Sequence, residues 1–103
     1  MTDTLSRLAE TITDRKGADP ETSWTAKLLT KGPEKAAEKF GEEAVEFIIE
    51  AAKGDVSGMT NEAADVLYHL LVALAARDVP FADVLAELER REGTSGIEEK
   101  NAR

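Results

Sequence analysis

Apolar residues recur along this chain with helical spacing, and no stretch alternates convincingly as a half-buried strand would. Leu5, Leu8, Ala9 and Ile12 mark a first helix, which Gly17 ends. Asp19 and Pro20 read as a cap and a first helical residue, opening a second helix through TSWTAKLL. Gly32-Pro33 breaks the chain and opens a long helix that runs to about Lys53, with Gly54 as its C-terminal cap. Asp55 caps the next helix, which runs to about Arg77. Val79-Pro80 breaks again, and Phe81, Val84, Leu85 and Leu88 mark a last amphipathic helix. In the tail, Ser95 stands three residues before Glu98, a weak capping-box signal for one short turn. The pattern predicts one all-α domain over residues 1–103.

The two long helices share an anomaly. On the first, Glu42, Glu43, Glu46 and Glu50 fall within an arc about 100° wide. Phe40, Ala44, Val45, Phe47, Ile48, Ile49 and Ala51 occupy nearly all the remaining circumference. On the second, Glu62, Asp65 and His69 share an arc of roughly 60°, and Ala63, Ala64, Val66, Leu67, Leu70, Leu71, Val72 and Leu74 cover the rest. A short chain buries a limited share of its surface and cannot easily cover two helices of this kind. A helical bundle completed by association, into a dimer or a larger helical assembly, follows as the expectation.

Composition narrows the chemistry. With 103 residues and no cysteine, the chain offers no disulfide framework and no thiolate metal site. A formal net charge of −8 argues against nucleic acid as a partner. No apolar run approaches a membrane span, and the start MTDTLSRLAE lacks a signal-peptide core, so a cytoplasmic protein is expected.

The acids have matched spacings, Glu43-x-x-Glu46 and Glu62-x-x-Asp65. Carboxylates at i and i+3 lie on one helix face. A tight hairpin at Gly54-Asp55 would set the two pairs level, so that four carboxylates converge with Glu42 and Glu50 at the margin. Singly, each acid suits an ordinary solvated helix, and Lys39 and Lys53 are placed to pair with neighbouring glutamates. Together they repel, and a half-buried interface raises the cost unless a cation or a proton is present. An all-oxygen set favours Mg²⁺ or Mn²⁺. A di-iron bundle would need Glu-x-x-His on two helices, and the single His69 would have to be supplied by two chains. His69 reads instead as an orienting hydrogen-bond partner or a polar interface residue. Magnesium held by carboxylates usually keeps positions for phosphate oxygens, which lets an acidic protein hold a polyphosphate. Lys27, Lys31, Lys35 and Lys39 crowd the segment before the acids and could clamp such a ligand.

E-E-x-x-E followed by E-x-x-D on the next helix resembles the all-α nucleotide pyrophosphatase (MazG-like) superfamily. SWTAKLLTKG, KFGEEAVEFIIEAAKGD, EAADVLYHLLVALAARDV, DVLAELERR and the tail SGIEEKNAR extend the resemblance, more narrowly, to the phosphoribosyl-ATP pyrophosphatases. The resemblance implies a dimeric helical fold and Mg²⁺-dependent hydrolysis of phosphoribosyl-ATP to phosphoribosyl-AMP and pyrophosphate, the second step of histidine biosynthesis. It implies Glu43, Glu46, Glu62 and Asp65 as metal-binding and catalytic residues, with Glu42 as the motif's leading acid. Lys27, Lys31, Lys39, Lys100 and Arg103 are the basic residues available to the substrate's phosphates. The cyclohydrolase to which this activity is fused in some organisms is not expected here. Two alternatives stand beside this reading: a housekeeping nucleoside-triphosphate pyrophosphatase of the same superfamily, and a non-enzymatic acidic helical module.

Overall fold

The computed structural model describes residues 3–93. Among them are five helices: α1 (Thr4–Asp14), α2 (Trp24–Thr30), α3 (Pro33–Lys53), α4 (Val56–Ala76) and α5 (Phe81–Arg91). The all-α expectation holds.

Local chemistry explains most boundaries. Asp3 accepts the Ser6 amide at 2.7 Å, Ser23 the Ala26 amide at 3.1 Å and Asp55 the Gly58 amide at 3.0 Å. Each such N-cap stabilises its helix by about 1 kcal/mol. Gly54 closes α3 at φ 76°, a left-handed cap that side chains resist. One boundary differs from expectation. Asp19 does not cap α2; its carboxylate accepts the Glu21 amide, and its carbonyl accepts the amides of Thr22 and Ser23. That local turn competes with helix, as Asp side chains commonly do, and hands the cap to Ser23. Ser95, Glu98, Lys100 and Arg103 lie outside the described residues.

Helices α3 and α4 form a long antiparallel hairpin. The core, Ile12, Leu28, Ala36, Leu71 and Val72, gathers where α1 and α2 pack against the end of the hairpin farther from its turn. Fully burying an Ile, Leu or Val side chain stabilises by about 1.5–3 kcal/mol, so this end anchors the fold. The segment nearer the turn receives no comparable cover. Ile48 is 61% exposed and Val56 76%, and Val45, Ile49 and Leu67 are also exposed. The apolar circumference of α3 seen in the sequence is therefore left largely unburied by this single chain. No described helix is long and apolar enough to cross a membrane.

Candidate metal centre

The tight turn makes residues equidistant in sequence from Gly54 face each other along the α3–α4 seam. Ala36 and Val72 both lie in the core. Nearer the turn come the levels of Lys39 and His69, Glu43 and Asp65, Glu46 and Glu62, and finally Glu50 and Gly58. The acidic levels thus sit between a dry anchor and the turn.

Oxygen atoms of Glu43, Glu62 and Asp65 lie within 4.8 Å of one another. Glu43 and Glu62 are half-buried, and each has a fully buried Oε2 without a hydrogen-bond partner. Loss of water is the main force pushing the Glu43 carboxyl up to about 7, followed by its bond to Glu46 and the negative charges of Glu46, Asp65 and Glu62. Glu62 is raised as well, first by desolvation and then by Glu46 and Asp65. Hard acceptors brought together, desolvated and lacking donors fit a divalent cation with oxygen ligands.

The other sequence candidates are distributed around this group. Glu46 is exposed but close enough to bond Glu43 and Glu62, so it edges the cluster without joining the three-oxygen group. Glu42 is turned to solvent and paired with Lys39 at 3.3 Å. Glu50 lies outside the three-oxygen group; its side chain is mostly buried, and its Oε2 also lacks a partner. His69 is only 8% exposed, with Nδ1 buried and unpartnered. Burial lowers its pKa, and Lys39 adds to this, while Asp65 and Glu42 oppose it. Lys27 is exposed on α2, and Lys31 lies 5.9 Å over the exposed Trp24 ring. Lys35 pairs with Glu38 at 3.2 Å.

Sequence reasoning missed two supports. Thr25 and Tyr68 share a part-buried hydrogen bond of 2.5 Å that ties α2 to α4. Neither residue carries charge, so spacing alone could not pair them. The other is Gly58, a glycine inside a helix and so a visible anomaly in the sequence; Glu50 fills the space it leaves.

An all-helical chain with carboxylates shared across two consecutive helices is consistent with the fold of the all-α nucleotide pyrophosphatases. The chain belongs to the phosphoribosyl-ATP pyrophosphohydrolase family, whose model matches residues 5–92. It is 76% identical over 99 residues to the phosphoribosyl-ATP pyrophosphatase of Dinoroseobacter shibae, covering 96% of this chain and 97% of that protein. The Paracoccus denitrificans enzyme of the same name is also 76% identical over 99 residues, covering 96% and 92%. That of Rhodobacter capsulatus is 72% identical, covering 96% of each.

Proposed function

We propose that this protein hydrolyses phosphoribosyl-ATP to phosphoribosyl-AMP and pyrophosphate in histidine biosynthesis. The observation that carries the reading is the convergence of Glu43, Glu62 and Asp65 from both arms of one hairpin. Family membership supplies the substrate class. Glu43, Glu46, Glu62 and Asp65 would hold Mg²⁺, or Mn²⁺ in its place, with Glu42 at the rim. When bound, such an ion draws in phosphate oxygens and offsets charge that develops during displacement.

The chain's own residues do the rest. The α3–α4 seam presents carboxylates at fixed separation, and a carboxylate of this set accepts the proton of the attacking water. A P–O bond forms from that water, the α–β anhydride bond breaks, and pyrophosphate departs. Lys27, Lys31 and Lys39, with Lys100 and Arg103 of the tail, are the basic groups proposed for the substrate's phosphates. A charge-assisted contact to the extra ribose phosphate is worth about 1.5–3 kcal/mol, roughly a ten- to hundredfold preference over ATP. The exposed Val45, Ile48, Ile49 and Val56 support a homodimer, since water-facing apolar area of this kind favours association.

A substrate panel with and without Mg²⁺ tests the reading. Phosphoribosyl-ATP should be turned over in the presence of metal, with ATP, dUTP and dCTP much poorer. Equal turnover of dUTP or dCTP would assign the protein to the housekeeping branch. Activity untouched by chelator would remove the metal from the reading. Sedimentation should give a mass above one chain; a soluble monomer at micromolar concentration would refute the dimer.

A further inference from the structure

The seam continues beyond the acidic cluster toward the turn, where Glu50 meets Gly58. The Glu50 side chain is 22% exposed, and its Oε1 lies 3.5 Å from Nζ of an exposed lysine, Lys53. Its Oε2 is fully buried and has no hydrogen-bond partner. Room for this carboxylate exists because residue 58 has no side chain. A Cβ there would lie 2.8 Å from Glu50 Cδ and 3.1 Å from its Cγ, too close to be accommodated without movement. Glycine weakens a helix interior relative to alanine, so α4 carries a poor helix former where a carboxylate enters.

Support of the α4 N-terminus does not explain the arrangement. A carboxylate serving that role ordinarily accepts first-turn amides. The Gly58 amide is already given to Asp55, and Glu50 Oε2 accepts none. What lies one helical turn away is the acidic cluster: Glu46 precedes Glu50 by four residues on α3, and Glu62 follows Gly58 by four on α4. Glu62 presents a second buried Oε2 without a donor. Two desolvated acceptors on neighbouring levels of one seam call for positive charge or donated hydrogens.

We infer that Glu50 is an outer positioning residue for the divalent ion held by the acidic cluster, admitted to the seam by the notch at Gly58. This rests on the metal reading above. A magnesium-sized ion usually keeps several waters, and Glu50 would accept hydrogen bonds from them. Outer partners of this kind tune affinity as a positioning residue does.

Mn²⁺ is the probe, with free ion followed by paramagnetic resonance as the full chain is titrated. Glu50→Gln and Gly58→Ala should each weaken Mn²⁺ binding about tenfold. The double variant should be no weaker than the weaker-binding single one, because both act through one carboxylate. Metal-free Glu50→Gln should melt no lower than the parent. Parental Mn²⁺ affinity in Glu50→Gln overturns the inference and leaves the metal reading standing, even if Gly58→Ala fails to fold. Absence of Mn²⁺ binding by the intact chain, seen before any variant is made, overturns both.

Discussion

Replacing Glu43 with glutamine should make the metal-free protein more stable at pH 8 and remove much of its pH dependence. Glu43 has its carboxyl raised from 4.5 to about 7 by burial and by the neighbouring acids. A carboxyl raised in the folded state favours the fold while protonated, so its stabilisation is complete below pH 4.5 and is lost as pH rises toward 7. Full shielding would make that loss about 3 kcal/mol. Because the cluster is open to water on one side, about 1–2 kcal/mol should survive screening. In a domain of this size, each kcal/mol moves the melting temperature by about 4–8 °C. The assay is thermal melting in chelator between pH 5 and pH 8, parent beside Glu43→Gln. His69, whose pKa is lowered, loses stabilisation as pH falls below 6.5 and so opposes the trend. Glu87, held down to about 2 by Arg90 and Arg91, titrates below the window. Both act alike in the two proteins, and the difference curve isolates the cluster. A difference that stays flat from pH 5 to pH 8 would refute the reasoning.

Mg²⁺ or Mn²⁺ should raise the parent's melting temperature by mass action, and Asp65→Asn should abolish most of that rise; an undiminished rise would exclude Asp65 as a ligand. Tyr68→Phe and Thr25→Ala should each cost about 1 kcal/mol in denaturant unfolding, and together little more than one alone, since they share one hydrogen bond. Ile12→Ala, in the core that anchors the hairpin, should cost about 2–5 kcal/mol while leaving Mn²⁺ affinity per folded molecule unchanged.

The hairpin was legible because its signals are local. Gly54 needs a left-handed cap, Asp55 needs a first-turn amide, and both requirements appear in adjacent letters. Once the turn is placed, the facing of Glu43 with Asp65 follows from counting outward. The start of α2 was not legible in the same way. Asp19-Pro20 is a plausible cap, and only the carbonyl and carboxylate bonds of Asp19 to residues 21–23 show that a turn wins. Within the site, the sequence identified the acids but not their depth. Glu42 and Glu43 are neighbours in the chain, yet one pairs with Lys39 in solvent and the other turns a buried oxygen inward. That division depends on α4 lying across α3, a relation that the α3 pattern does not contain.

Every level of the seam is defined by equal distance from Gly54, so chain length acts on it differently from residue type. A residue inserted into α3 between Glu46 and Lys53 would turn the helix by about 100° and advance it about 1.5 Å. Glu50 would leave the space beside Gly58, or Glu43 and Glu46 would lose their partners on α4. Shortening α4 by one residue would do the same from the other side. The segment 15–23 between α1 and α2 sets no level of the seam. The hairpin therefore acts as a ruler: it can accept new side chains at many marks, but its number of marks cannot change.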